Sequence, residues 1–350
     1  MRAVGWLAAG WPWGPVSGKL IGMKSPIPYY GSKGQLAETI AGALGSVPHK
    51  HFIEACAGSL AVLLAKRRVQ AETVNDLDGR LVTFWRVLRD QPEALERVCS
   101  LTPHSRAERL LAQEFPDGLP ELEVARRVYV ALTQGRHGSL NRTGWRHDVT
   151  PGGHPYPVRL QRFAGRLAPV AARLAQVSLE ARPAVEVVAS YGQGRGNLLY
   201  VDPPYPLSER AKNYAMEMSD AGHAELAKVC LSADAAVVVS GYPGGIWDTA
   251  LEGWHRYELA AVTRQGKAEY GHQRAEILWS NRPLELPDSE APVSSREGGQ
   301  RVETPARCPG CAAVLRHPKT GRRKRWCAPA CRERARRQLA AVGAADTGEV

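Results

Sequence analysis

The run Asn197-Leu198-Leu199-Tyr200-Val201-Asp202-Pro203-Pro204-Tyr205 joins an apolar stretch to a polar, proline-rich exit. A short apolar run bounded in this way reads as a buried parallel strand. Open α/β sheets bind ligands beyond the carboxyl ends of their strands, so Asp202 to Tyr205 fall where a ligand would sit. Two successive prolines fix φ and remove two N–H donors, which leaves main-chain carbonyls without ladder partners. A carboxylate, a bare carbonyl and an aromatic ring suit an exocyclic amine on a base: two acceptors for its hydrogens and a face for stacking. The same residues also fit a plain strand exit with a capping aspartate, so the rest of the chain has to weigh the two.

Outward from this strand, helix and strand signals alternate between residues 26 and 281. Strands are predicted over 51–54, 72–75, 177–179, 198–201, 235–240, 258–262 and 275–279. Helices are predicted over 35–44, 60–68, 79–88, 121–132, 159–175, 184–190 and 221–231. Alternation of this kind implies a mostly parallel sheet covered on both faces. Residues 103–157 are more polar and less regular, and 134–157, rich in Gly, Arg, His and Asn, read as an exposed loop. Residues 282–306 carry Pro283, Pro287, Pro292 and Pro305 among Ser, Glu and Gly and read as a flexible linker.

Composition bounds the rest. The chain has 350 residues, 44% of them apolar, enough for one large α/β domain with a small appendage. No apolar stretch is long enough to span a bilayer. The first 25 residues, with Trp6, Trp11 and Trp13 among Gly and Pro, read as a disordered extension. Gly10, Pro12 and Pro15 break any secretory h-region, and Met23 is the expected natural start. The expected location is cytoplasmic and nucleoid-associated. Net charge is +11, of which the window Arg316–Arg337 supplies +9, leaving +2 for everything else. Such a tail is the footprint of a polyanion binder, or a solvated basic extension.

His51 to Ser59 runs strand, tight turn, helix, with Gly58 at the turn. Glycine there lets a ligand approach the main chain, and the helix start offers free N–H groups. The next strand ends at Asp76, about twenty residues on, where an acid in a βαβ unit accepts both ribose hydroxyls. Asp76 is also a candidate N-cap, with Asp78 its rival in that role. The pair fits an adenosine-bearing cofactor. A nicotinamide dinucleotide fits the same pair, but its three-glycine pyrophosphate fingerprint is missing.

Pro28-Tyr29-Tyr30-Gly31-Ser32-Lys33, then Phe52-Ile53-Glu54-Ala55-Cys56-Ala57-Gly58-Ser59-Leu60-Ala61-Val62, then Asn75-Asp76-Leu77-Asp78, then Asp202-Pro203-Pro204-Tyr205 stand in an order that resembles Dam-type (class alpha) DNA adenine-N6 methyltransferases. Arg274-Ala275-Glu276-Ile277-Leu278-Trp279 is similar to the closing segment of that family. The resemblance covers about residues 27–281 and is greatest to members from phages and prophages. It implies a doubly wound, Rossmann-like methyltransferase sheet with an antiparallel edge strand. It implies S-adenosylmethionine as cofactor, flanked by Tyr29 and Lys33, with Glu54 and Gly58 shaping its turn and Asp76 on its ribose. Asp202, Pro203, Pro204 and Tyr205 would seat the adenine, flipped from the duplex, with Tyr205 as stacking platform. The implied activity is site-specific transfer of a methyl group to adenine N6 in double-stranded DNA, by a monomer, in a bacterial or phage-infected cell, for phage DNA modification or restriction protection.

Target recognition would fall in an insertion over about 102–157, where Arg136, Asn141, Arg142 and Arg146 are of the types that read bases or phosphates. The chain departs from the family at Ala55-Cys56, where Pro-Phe is usual, at Leu60, often a second glycine, and at Pro183, where an acid often meets the cofactor adenine. Glu180 would substitute only with a shifted register. These departures keep open a catalytically silent DNA-binding homologue. An RNA methyltransferase or a cytosine-N4 enzyme are further alternatives, the latter usually with Ser in place of Asp202.

Cys308-x-x-Cys311 and Cys327-x-x-x-Cys331, fifteen residues apart, have four-thiolate zinc spacing. A module over 307–338 would draw its folding energy from structural Zn2+. Arg322, Arg323, Lys324 and Arg325 lie between the pairs as phosphate contacts, and 339–350 read as a disordered tail. Cys56, Cys99 and Cys230 sit among apolar residues and read as buried thiols.

Overall fold

The computed structural model describes residues 23–147, 155–205, 216–259 and 275–287. The chain divides into two units, 1–288 and 289–350, and every described residue belongs to the first. The predicted N-terminal extension, the zinc-type cysteines and the basic run 322–325 lie outside the described residues. In chain order the elements are α1 (Ala37–Gly45), β1 (His51–Glu54), α2 (Ala61–Ala65), β2 (Ala71–Asn75), α3 (Gly79–Asp90), α4 (Pro92–Leu101), α5 (Arg106–Leu111), α6 (Glu121–Gln134), α7 (Tyr156–Ala164), α8 (Leu167–Leu174), β3 (Val177–Glu180), α9 (Ala184–Tyr191), β4 (Asn197–Val201), α10 (Asp220–Leu231), β5 (Ala236–Gly241), α11 (Ile246–Ala250), β6 (His255–Leu259) and β7 (Glu276–Ser280).

The strands form one sheet in the order β3-β2-β1-β4-β5-β7-β6. Pairings from β3 through to β5 are parallel, and β7 runs antiparallel to both β5 and β6. The reversed strand therefore lies one place in from the edge, and β6 forms the edge itself. The chain winds outward from β1 to β3 and then returns to lay β4 on the other side of β1. That reversal opens a crevice at the carboxyl ends of β1 and β4, where doubly wound sheets take their ligands.

Both sheet faces are covered, which explains the unbroken apolar run in β4. Leu198 and Tyr200 join one core cluster with Phe52, Val74 and residues of α1 to α4, α6 and α8. Leu199 and Val201 join the other with Ile53, Val237, Val239 and residues of α9, α10 and α11. Successive strand residues point to opposite faces, so a strand covered on both needs no polar alternation.

Four regions differ from the sequence expectation. The helix expected over 159–175 is two helices, α7 and α8, because the chain turns at Gly165 and Arg166, with Gly165 N donating to Gln161 O at 2.9 Å and Arg166 N to Phe163 O at 3.1 Å. The polar stretch after residue 102 contains α5, capped by Ser105 on the Ala107 N–H at 3.2 Å. The segment from Gln134 is not an open loop. Gly135 and Trp145 form an antiparallel bridge, and Gln134, Ser139 and Leu140 are buried. Gly138 (φ +61°) meets the backbone of Pro28 and Tyr29 so closely that a Cβ would stand 3.0 Å from Pro28 C, and its carbonyl accepts from Tyr30 N at 2.8 Å. Within residues 282–287, expected as linker, Leu284 is buried against the core and its N–H donates to Tyr257 Oη at 2.8 Å.

Beneath the sheet, Arg173 of α8 forks onto Glu72 of β2, with Nη1–Oε2 at 2.5 Å and Nη2–Oε1 at 2.9 Å, and also donates to Leu63 O of α2 at 3.1 Å. The two side chains are 1% and 4% exposed. Removing one member strands a buried charge, whereas replacing both with apolar groups does not. Arg173→Met should therefore lower the unfolding free energy by about 3–5 kcal/mol in urea titrations, and adding Glu72→Leu should restore most of it.

Candidate functional site

β1 ends at Glu54 and enters a tight turn. Ala57 N donates to Asn75 O and Leu60 N to Ala57 O, each at 2.8 Å. Gly58 has φ +49° and Leu60 φ +59°, ψ 22°. A left-handed leucine costs about 1–2 kcal/mol. Its side chain is fully buried here, which offsets that cost by about 1.5–3 kcal/mol. The position where the resembled family often has glycine thus keeps the glycine-like backbone without the glycine. A Cβ on Gly58 would lie 3.1 Å from Cδ1 and Cε1 of Tyr29, so the ring and the turn form one cradle.

The end of β2 closes that cradle. Asp76 Oδ2 accepts from Gly58 N and Oδ1 from Asp78 N, both at 2.9 Å. Burial lifts its carboxyl to about 6. Asp78, not Asp76, is the helix cap: it accepts from Arg80 N at 3.0 Å at the start of α3. The Asn75 amide donates to Ala55 O at 2.8 Å and Arg182 O at 2.9 Å, tying β1, β2 and β3 together at one level.

These residues wall an open cavity of about 150 Å³. Tyr29, Lys33, Glu54, Gly58, Asp76 and Asp202 all line it, although they come from four separate stretches of chain. Glu54 Oε2 accepts from Leu63 N at 3.1 Å, and burial pushes its carboxyl up to about 8. The β3 side presents Ala184 rather than an acid. Glu180 does not fill that place, because its carboxylate is engaged by Arg182 Nε at 2.6 Å and by the Tyr191 hydroxyl.

At the end of β4, Asp202 grips an amine already. Lys33 Nζ lies 2.6 Å from Oδ1 and 2.7 Å from Oδ2. Ser240 Oγ donates to Oδ1 at 3.0 Å and is itself 3.0 Å from Tyr200 Oη. Lys33, expected beside the cofactor, lines the cavity but places its charge on the acid. Tyr205, expected as an open stacking platform, is only 4% exposed. Its ring sits between Lys33 Nζ, 4.8 Å from the centroid, and the Tyr242 ring at 4.3 Å. Its hydroxyl donates to Glu276 Oε1 at 2.5 Å. In this state Tyr205 supports the site from behind because both its ring and its hydroxyl are occupied. Pro203 is buried and Pro204 reaches the cavity.

Glu276 was assigned no role from sequence. It stands on β7, 5% exposed, with Oε1 3.7 Å from Lys33 Nζ. Burial lifts its carboxyl to about 7, against the pull of Lys33 and with the push of Asp202. The one sequence signal was an acid opening an otherwise apolar strand.

Of the residues proposed to contact nucleic acid, Arg136 and Arg142 are exposed, and Asn141 and Arg146 half-buried. All four belong to the bridged turn described above. Arg109, 1% exposed, reaches under this turn and donates from Nη2 to Thr143 O at 3.2 Å and Oγ1 at 3.0 Å. Among the described residues no cluster of His, Cys, Asp or Glu is suited to a metal ion, and no helix is long and apolar enough to cross a membrane.

Residues 29–115 match the family model described as D12 class N6 adenine-specific DNA methyltransferase. The matched span contains Tyr29, Lys33, Glu54, Gly58 and Asp76 and ends before β4, and it supports a methyltransferase. No curated protein matches the chain. Among solved structures, the rRNA methyltransferase AviRa from Streptomyces viridochromogenes is 16% identical over 72% of this chain and 86% of that one, with a TM-score of 0.33. Precorrin 8W decarboxylase from Methanobacterium thermoautotrophicum is 10% identical over 73% of this chain and 95% of that one, with a TM-score of 0.30. Neither likeness bears on substrate.

The raised carboxyl of Glu54 has a measurable signature. The folded chain holds this proton to about pH 8, whereas the unfolded chain releases it near its ordinary value of about 4.3. Stability is therefore greatest below that lower value and falls as pH rises towards 8. Glu54→Gln should remove this part of the slope and leave the variant more stable than the parent in urea unfolding at about pH 9, with little difference at about pH 4.

Proposed function

We propose that the chain is an S-adenosylmethionine-dependent methyltransferase acting on the N6 amine of adenine in DNA. The observation that carries this reading is the amine clasp: at the crevice between β1 and β4, Asp202 holds Lys33 Nζ by both oxygens. It does so on the wall of a cavity whose other side is the Gly58–Asp76 cradle. A carboxylate placed to take a lysine amine is placed to take an adenine amine. The family match over 29–115 supports the same class.

The cavity fits the donor chemically. Gly58 allows close approach, the Asp76 carboxylate suits a ribose diol, and Tyr29 supplies a ring edge beside the turn. When bound, S-adenosylmethionine supplies an electrophilic methyl group. Asp202 and the Pro203 carbonyl accept the amine hydrogens and so localise its lone pair, which is otherwise delocalised into the ring. Asp202 also balances the charge that develops on nitrogen and receives the proton. Such acceptors act most strongly where water is scarce, and Asp202 is 16% exposed. Reaching this pocket requires the adenine to leave the duplex, at a cost of about a few kcal/mol. Arg136, Asn141, Arg142 and Arg146 then contact the DNA. The tail adds phosphate contacts through Arg322, Arg323, Lys324 and Arg325 on a module held by zinc at Cys308, Cys311, Cys327 and Cys331. A role in phage DNA modification or restriction protection is consistent with this chemistry. The engagement of Glu180 by Arg182 and Tyr191 favours a second reading, a DNA-binding homologue that takes up donor weakly or not at all.

Two experiments separate these readings. Asp202→Ala should abolish transfer of labelled methyl groups to DNA while donor affinity in isothermal titration stays within about twofold. Turnover in the variant would remove Asp202 from the chemistry, and a parent chain with no donor binding would favour the silent homologue. Deleting residues beyond Pro305 should reduce DNA affinity and flatten its dependence on salt, each lost phosphate contact lowering the logarithmic slope by about 0.9. An unchanged slope would take the tail out of DNA binding.

A further inference from the structure

We infer that Glu276 is a positioning residue: it is the alternative acceptor for Lys33, and takes up that ammonium when a target amine claims Asp202. The inference rests on the reading of Asp202 as the seat of the target amine.

In the structure Lys33 occupies that seat. Its Nζ lies against both Asp202 oxygens, and Oδ1 also accepts from Ser240. An incoming amine needs the same lone pairs, so Lys33 has to withdraw. A lysine only 7% exposed cannot withdraw into water and must find another anion. Glu276 is that anion. Its Oε1 is 3.7 Å from Nζ, so a shift of about one ångström makes a charge-assisted hydrogen bond. Tyr205 holds Oε1 through its hydroxyl at 2.5 Å, which keeps the carboxylate turned towards Lys33. Gly31 O, 3.4 Å from Nζ, lies on the same side chain's range and adds a neutral acceptor.

The groups that face Glu276 come from three places. Lys33 reaches it from the segment before α1. Asp202 and Tyr205 reach it from the exit of β4, and the Tyr200 phenol lies behind on β4 itself. Lys33 is the cation among them. With Glu276 protonated, no second carboxylate draws the ammonium from Asp202 and the seat stays filled. With Glu276 ionised, Lys33 is shared between two carboxylates and the seat opens. Burial sets this ionisation at about 7, so target affinity should rise as pH climbs through neutrality.

The test is steady-state methylation of duplex DNA by the full chain between about pH 6 and 9, with donor affinity measured alongside by titration calorimetry. For the parent, kcat/KM for DNA should rise through about pH 7. Glu276→Gln should lose that rise and show a KM for DNA about tenfold higher above neutrality, with donor affinity within about twofold of the parent. Glu276→Asp keeps a carboxylate and should recover the rise, with part of the KM. A Glu276→Gln chain that keeps the parent's pH profile and KM overturns the inference. So does equal loss of donor and DNA affinity that Glu276→Asp fails to rescue, because that marks general damage to β7. A parent chain that binds donor and methylates no DNA is a different outcome: it removes the methyltransferase reading, and this inference falls with it.

Discussion

Two carboxylates and one ammonium, Asp202, Glu276 and Lys33, meet where the sheet leaves almost no water to solvate them. Each would be costly there alone. Lys33 is the counter-charge that lets both acids stand near the carboxyl end of the sheet. Tyr205, Ser240 and Tyr200 are arranged around that need, each spending a hydroxyl within the cluster. Remove the lysine and both carboxylates lose the cation they share. The topology matters for the same reason. β4 lies beside β1 at the winding reversal, so the charged cluster and the ligand cradle open into one cavity.

The cradle shows how the fold tolerates departures from the pattern it resembles. At Leu60 the chain keeps a backbone conformation that glycine adopts freely, and the buried leucine side chain compensates within the core of α2. At β3 there is no such compensation. The acid nearest the cavity, Glu180, is drawn off by Arg182 and Tyr191, and the wall there ends in Ala184. Of the two departures, the first leaves the geometry intact and the second changes what the cavity offers a ligand.

The strands were legible because burial on both faces writes itself as short apolar runs: β1 falls on the expected residues 51–54, and β4 differs by the single residue Asn197. Helix limits were less so. The α7–α8 break depends on a turn at Gly165 that local periodicity does not reveal, and α5 is a short helix in polar sequence capped by one serine. The cavity-lining residues were legible as types, since a glycine turn followed by an acid at the next strand end is a local signal. Their pairings were not. Lys33 and Asp202 are 169 residues apart, Tyr205 and Glu276 are 71 apart, and no spacing rule connects such partners. That is why the sequence marks Tyr205 as an open platform and Glu276 not at all, and why Lys33, which does line the cavity, carries no legible tie to Asp202.

The hydrogen bond from Tyr30 N to Gly138 O joins the segment that borders the cavity to the turn that carries Arg136, Asn141 and Arg142. A Cβ at Gly138 would stand 3.0 Å from Pro28 C and 3.1 Å from Tyr29 N, so the two strips of chain pack backbone to backbone there. Any coupling that this contact carries between the two is reciprocal. If filling the cavity tightens the grip of the turn on a polyanion, the polyanion tightens the cavity by the same factor, and a substrate would report its arrival at one end of this seam to the other.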